Sequence, residues 1–308
     1  MEYEKIQHRD FSGLNLFLNE ITSRTPHMHR EFELVLVLSG VLHLTSLEVD
    51  QTLAPGALAV LNPWRTHAFR GENSSSTCLF IQISPDLFRD YYPNAAQLRF
   101  QNLCLSEAVP PQICEVLRST MQELALRFLK RKPAYEFACM QRVNALMEQL
   151  LLHAGWELIS SEQGRRDAVV QQRLERVMQF VQEHHGQKLF LKELAEQEHL
   201  SESYLTHFVH KHLNMSFQDY VSLIRMEHAA QLLTSTQDSI AEICQQCGFS
   251  DRRYMNKAFL EFTGKLPREY RSSGLRTEWT RNSTGGLSRE RVLQDAEAVA
   301  YLQSGLFG

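Results

Sequence analysis

From Leu191 to Arg271 apolar positions recur every three or four residues and are broken by short polar turns, the periodicity of helices that bury one face. Ile240, Ile243 and Cys244 share one face of a short helix. Gly248 follows as a turn residue that carries no left-handed penalty, and Phe249 returns to the apolar side. A second helix then starts from Ser250 or Asp251 as N-cap, with Tyr254, Met255, Ala258, Phe259 and Phe262 spaced for burial and Gly264 as its stop. Left pointing outward are Arg252, Arg253, Asn256 and Lys257, side-chain types that reach guanine, adenine and phosphate in a major groove. The pattern predicts a helix, a tight turn and a DNA-recognition helix.

The pattern occurs twice. About fifty residues earlier, Leu191, Leu194 and Ala195 form the apolar face of a short helix and His199-Leu200-Ser201 makes the turn. A second helix follows with Leu205, Phe208, Val209 and Leu213 inward, leaving Ser203, Thr206, His207 and His210 outside. A continuous periodic stretch from Phe217 to Leu233 joins the two units; at 1.5 Å per residue it spans roughly 25 Å. With its flanking motifs it sets the two recognition helices about one DNA turn, roughly 34 Å, apart, so that one chain reaches two successive major grooves.

Nearer the N-terminus the period shortens. FELVLVL (32 to 38), VLHLTSLEV (41 to 49), ALAVL (57 to 61) and TCLFIQI (77 to 83) read as strands with turns at Ser39-Gly40 and Pro55-Gly56, which suggests a small antiparallel barrel or jelly roll. A short helix begins in SPDLFRDYYP. Two amphipathic segments follow, one from 111 to 131 through Ile113, Val116, Leu117, Met121, Leu124 and Phe128, the other from 134 to 156 through Phe137, Val143, Leu146, Leu150 and Leu151. Pro133 between them favours an antiparallel helical hairpin, one side of which covers the barrel while a surplus apolar strip is available to a second subunit. The stretch 157 to 167 loses periodicity and reads as a linker between a domain at 1–156 and one at 168–272. Residues 273–308 form an extension without an assigned role: a loop-like stretch, then an amphipathic helix with Leu287, Val292, Leu293, Ala296 and Leu302. The fold class expected is a multidomain α+β chain, barrel plus helical hairpin first and an all-α domain second.

A chain of 308 residues with 43% hydrophobic and 22% charged residues has room for two globular domains. No apolar run approaches the roughly 20 residues of a membrane span, and the polar opening MEYEKIQHRD is unlike a signal peptide, so a cytoplasmic protein without membrane contact is expected. The net charge of -4 does not point to nucleic acid. Placement matters more: from Asp251 to Arg271, Arg252, Arg253, Lys257, Lys265, Arg268 and Arg271 oppose only Asp251, Glu261 and Glu269. The six cysteines follow no disulfide or zinc-ribbon spacing; Cys244 and Cys247 form a CxxC, read as core packing, with a redox or metal role as the alternative.

Residues 168 to 271 resemble the DNA-binding domain of the AraC/XylS regulators. The matching residues are LKELA at 191 to 195, LS at 200 to 201, SYL at 203 to 205, IRMEHAAQLL at 224 to 233, IAEI at 240 to 243, GFSD at 248 to 251 and G-x-x-P-x-x-Y-R ending at Arg271. His207, Met255, Leu260 and Asn214 depart from the usual Arg, Phe, Lys and Gly. The resemblance implies a transcription regulator, an activator that works with RNA polymerase as a homodimer on double-stranded DNA, controlled by a small-molecule effector.

In the barrel, His27-x-His29-x-x-x-Glu33, Gly40, Pro55-Gly56, Asn62-Pro63 and His67 resemble the two motifs of cupin barrels, without the leading Gly of the first. In cupins that bind metal the equivalents of His27, His29, Glu33 and His67 converge on one ion. In sensor domains of the resembling regulators the same groups line an effector pocket without metal or other cofactor, and this is the expectation here, with structural hydrogen bonding and bound metal as the other readings. Trp64, beside the second motif, is placed either to stack on a sugar-like ring or to fill the core. The competing function is a metal-dependent cupin enzyme such as a dioxygenase or isomerase. Against it, no further acid-base group stands near the four, and an enzyme has no use for two helix-turn-helix units.

Overall fold

The computed structural model describes residues 2–3, 11–46, 49–72, 75–101, 103–213, 215–272, 279–281 and 287–304. The chain divides into two compact units, one of Glu4–Ala168 with Glu290–Gly308, the other of Met1–Tyr3 with Val169–Arg289.

The first unit is a near-closed antiparallel barrel covered by a helical hairpin. Its strands are β1 (Leu14–Met28), β2 (Phe32–Ser39), β3 (Leu42–Ser46), β4 (Asp50–Leu53), β5 (Leu58–Leu61), β6 (His67–Gly71) and β7 (Ser76–Ile83). They pair in the order β4-β3-β6-β1-β7-β2-β5. Strand β2 explains why its sequence is apolar at nearly every position: it is buried on both faces. Leu34, Leu36 and Leu38 pack in the cluster that includes the hairpin, whereas Val35 and Val37 join Leu42, Leu44, Phe69 and Phe80 in a separate interior cluster. By the same alternation Glu33 belongs to the Val35 face, directly opposite Gln82 on β7.

The hairpin consists of α1 (Pro111–Lys130) and α2 (Tyr135–His153), flanked by a short two-stranded pair, β8 (Leu98–Phe100) with β9 (Trp156–Leu158). Pro111 takes the first helical position, where its missing N–H costs nothing. The connection is tight, with Arg131 and Ala134 both at positive φ, 43° and 64°. Leu117, Met121, Leu124, Val143, Leu146 and Leu150 are buried against the barrel, while Val116 and Phe137 are 44% and 80% exposed.

Two segments differ from the sequence expectation. The stretch 157–167 is not an irregular linker, since β9 runs to Leu158 and α3 (Ser161–His184) begins at Ser161, with Asp167 lying 3.9 Å from Arg99. Nor do residues 287–303 form one helix. Leu287–Val292 is a strand, β11, that pairs with β1 and with β10 (Trp279–Arg281), and only Asp295–Gln303 is helical, as α10. Val292 and Ala296 are exposed; Leu293 and Ala298 enter the core with Leu302 and Tyr301 partly buried beside them. The rest of the loop-like stretch before β11, apart from residues 272 and 279–281, lies outside the described residues, as does Asn214.

The second unit is helical: the C-terminal part of α3, then α4 (Leu191–Gln197), α5 (Glu202–Leu213), α6 (Phe217–Ser235), α7 (Ile240–Gln246), α8 (Arg252–Thr263) and α9 (Pro267–Ser272). Ser216 caps α6 in a capping box with Asp219, and Ser239 caps α7 in another with Glu242. Helix α6 buries ten residues from Phe217 to Leu233, as the central pillar of the unit requires. Arg225 pins it to the end of α3, donating from Nε to the carbonyl of His185 at 2.8 Å and from Nη2 to that of Gln187 at 2.6 Å. Of the six basic residues from Arg252 to Arg271, Arg271 is used inside the unit, donating to the carbonyls of Leu233 and Asp238.

Candidate DNA-binding surface and barrel cluster

The two helix pairs match element for element. Helices α4 and α7 are 7 residues each and α5 and α8 are 12 each. The turns close by the same bonds. The N–H of Leu200 donates to the carbonyl of Ala195, and that of Phe249 to Cys244; His199 and Gly248 hold the left-handed position, φ 54° and 77°. Asp251, not Ser250, caps α8, accepting from the Arg253 N–H at 2.7 Å; Ser201 does the same work for α5, accepting from Tyr204 at 3.2 Å.

This geometry fixes the outward faces. On α5, Leu205, Phe208, Val209 and Leu213 are buried and Ser203, Thr206, His207 and His210 are exposed. On α8, Met255, Ala258 and Phe259 are buried, with Arg252, Arg253 and Lys257 exposed and Asn256 half-buried on the rim. Tyr254 corrects the sequence reading. Placed inward by its spacing, it is 60% exposed and stands with Arg253 and Lys257 on the open side, while Phe262 is only partly buried. Its counterpart Tyr204 is 45% exposed and accepts a hydrogen bond from Arg173 at 2.7 Å, the guanidinium lying 5.3 Å from the ring centroid. The Arg253 guanidinium leans on Asp251 at 3.3 Å, which raises its already high pKa through that hydrogen bond and charge. These aromatic positions are separable from core positions only through the extra residue in the second turn, which shifts α8 by one position relative to α5.

In the barrel, His27 on β1, His29 just past its end, Glu33 on β2 and His67 on β6 bring together the four groups picked from the sequence. His27 and His67 face each other across the β1–β6 pair with ring centroids 4.2 Å apart, and His29 lies 5.2 Å from His67. Glu33 reaches His67 Nε2 at 3.1 Å and His29 Nε2 at 3.5 Å. All four are buried, and one ligand atom from each lies within 4.8 Å of the others. Burial holds the pKa of His27 well below its ordinary value, reinforced by the positive charge of Arg24, and burial likewise lowers His67 against the pull of Glu33. Burial alone would raise Glu33, but the charge and hydrogen bonds of His29 and His67 outweigh it and hold the carboxyl well below the usual range. Trp64 is half-buried at φ 63°, a strained conformation for a large residue, and its N–H donates to the His29 carbonyl at 2.8 Å, tying its turn to the cluster.

Cys244 and Cys247 are buried and unbridged in the second unit's core, with the Cys244 thiol directed at the Phe249 carbonyl. Among the described residues no helix is long and apolar enough to cross a membrane.

Two helix-turn-helix units joined by a long buried helix define a double helix-turn-helix DNA-binding protein. A family model described as a helix-turn-helix domain matches residues 194–273. The C-terminal domain of AraT, a response regulator from Geobacillus stearothermophilus, is 35% identical over 35% of this chain and 90% of that one, with a TM-score of 0.32. The regulator YisR of Bacillus subtilis (strain 168), an uncharacterised HTH-type transcriptional regulator, is 23% identical over 249 residues, 78% of this chain and 85% of its own. An uncharacterised HTH-type transcriptional regulator of Staphylococcus aureus (strain MSSA476) is 25% identical over 266 residues, 86% of this chain. The chain spans only about a third, 34%, of that staphylococcal relative. Residues 194–273 are an AraC-type helix-turn-helix domain, and the chain is similar to HTH-type transcriptional regulators.

Proposed function

We propose that the protein binds a two-part operator through α5 and α8 and activates transcription there, with RNA polymerase as its partner, under control of a small polar effector sensed by the barrel. The observation that carries this reading is the outward face of α8, where Arg252, Arg253 and Lys257 stand exposed on a helix whose other face is locked into the core. Arg and Asn read guanine and adenine edges bidentately, and Lys257 supplies a phosphate contact. Ser203, Thr206, His207 and His210 on α5 address the second half-site with fewer charges and so bind it more weakly. The effector, of a sugar-like class, engages the barrel at Trp64 and the His27, His29, Glu33 and His67 cluster. It shifts the regulator only to the extent that it binds one arrangement of the protein better than another. Phe137 and Leu152, 80% and 66% exposed on α2, are the surface offered to a second copy in a homodimer. The site of action is the cytoplasm.

The test is a footprint and gel-shift titration on the upstream region of the protein's own gene. Replacing Arg252 or Arg253 with Ala should cost about 1 to 3 kcal/mol at a bidentate guanine and relax specificity at that base, whereas loss of a phosphate contact weakens all sequences alike. An Arg252→Ala/Arg253→Ala double variant with unchanged operator affinity and specificity overturns the assignment. In the barrel, His29→Ala or Glu33→Ala should abolish the effector response; a normal response removes the sensor reading.

A further inference from the structure

The first helix-turn-helix lacks the cations of the second. Helix α8 carries Arg252, Arg253 and Lys257 against Glu261, whereas α5 carries only Lys211 against Glu202. The caps put the difference in register: Arg252 and Arg253 follow Asp251, while Glu202 and Ser203 follow Ser201. Phosphates are matched mainly by fixed positive charge, so the half-site under α5 calls for a cation from elsewhere in the unit.

Arg173, on the part of α3 that belongs to the helical unit, stands beside the first turn of α5. Its Nη1 donates to the Tyr204 hydroxyl at 2.7 Å, and the guanidinium carbon lies 5.3 Å from the Tyr204 ring centroid and 5.5 Å from that of Phe208. The two rings are 23° from parallel with centroids 6.2 Å apart, so two aromatic faces hold the cation in place without neutralising it. Other arginines of the unit are occupied internally: Arg176 pairs with Glu198 at 2.7 Å, and Arg225 and Arg271 donate to main-chain carbonyls. Arg173 makes no ion pair among the described residues, and its buried Nε meets no acceptor there. The Tyr204 hydroxyl accepts from Arg173 and so keeps its own hydrogen for a partner outside the chain. Tyr204, His207 and Lys211 are exposed along one edge of α5, at the three- and four-residue spacing of a helix face.

We infer that Arg173 and Tyr204 together bind a backbone phosphate of the first half-site, the guanidinium supplying the charge and the phenolic O–H a second donor. Arg173 lies outside both helix-turn-helix units, so this contact seats α5 in its groove without reading a base. The inference deepens the DNA-binding reading and rests on it.

The test is a gel-shift titration of the full chain against salt, from roughly 50 to 300 mM, on a fragment of the protein's own upstream region and on a random-sequence duplex of about 30 bp. Arg173→Met keeps the stem and removes the charge. It should lower the slope of log affinity against log salt by about one on both duplexes and weaken binding about 5-fold at about 0.15 M salt, with the footprint boundaries unchanged. Arg173→Lys, which returns the charge without the planar fork, should restore the slope. Tyr204→Phe removes one oxygen and should weaken binding about 3-fold at unchanged slope, with no further effect in Arg173→Met; it carries the test if Arg173→Met fails to fold. An unchanged slope in a folded Arg173→Met, or a loss of affinity that only follows a lower melting temperature, makes the pair a structural staple and overturns the proposal. Arg253→Ala keeps the two readings apart. If it reduces the slope and Arg173→Met does not, DNA binding through α8 stands and the phosphate anchor falls; if the unaltered protein binds neither duplex, both fall.

Discussion

The Cβ that Gly248 lacks would stand 2.3 Å from the carbonyl oxygen of His185. Residue 248 closes the second helix-turn-helix at φ 77°, and the end of α3 packs directly on that turn. Both the left-handed backbone and the backbone contact exclude a side chain. Gly248→Ala should therefore destabilise the helical unit by about 2 kcal/mol or more, seen as a lower midpoint in thermal unfolding. His199, at the same place in the first unit, already tolerates φ 54°, so His199→Gly should be neutral or mildly stabilising there, which provides the internal control.

Tyr254 is on the open side of α8 next to Arg253. Tyr254→Ala is expected to lower operator affinity by about 1 to 2 kcal/mol with unfolding stability changed by no more than about 0.5 kcal/mol, since no core packing is removed. Equal losses of stability and affinity would show that the ring is structural. Lys257→Ala should instead reduce the slope of log affinity against log salt by about one.

Glu290 lies buried against β1, where Asn19 donates to it at 2.8 Å and Arg24 Nη1 lies 4.0 Å away. Removing a buried carboxylate from such a setting leaves polar partners without their acceptor. Glu290→Ala should cost the barrel unit about 2 to 4 kcal/mol in urea unfolding, and Glu290→Gln, which still accepts from Asn19, should cost less.

All six cysteines are unpaired and buried. Burial pushes the Cys247 thiol up to about 12 and that of Cys139 up to about 11, and it raises Cys78, Cys104 and Cys244 as well. Since the thiolate is the nucleophile, iodoacetamide at pH 8 should leave the folded protein unlabelled over a time that labels all six in urea, as counted by mass spectrometry. Rapid labelling of Cys244 or Cys247 in the folded state would revive a redox reading of the CxxC.

The helical unit was legible because its information is local: caps, turn glycines and a period of 3.6 lie within a dozen residues of one another. The miss at Tyr254 arose where two apolar-looking neighbours, Tyr254 and Met255, compete for one inward slot and only the turn decides between them. In the barrel, β2 announced itself by its unbroken apolar run, but β1 did not, although it is the longest strand and carries His27. Its buried positions include Asn19, which donates to Glu290 from the far end of the sequence, and Arg24, whose guanidinium lies 4.0 Å from the same carboxylate. No local pattern contains that pairing. The metal-type cluster was visible as spacing, while the three main-chain carbonyls that aim its imidazoles were not.

The return of the chain to β1 through Glu290 also sets an order of assembly. Leu293 donates its N–H to the Leu18 carbonyl, Arg291 is held by Glu20 and Glu297, and the Tyr301 hydroxyl donates to Ser39. One partner of each contact lies after residues 169–289 in the sequence, so these barrel contacts can form only once the whole helical unit has been synthesised. The barrel unit is completed last although its strands are encoded first.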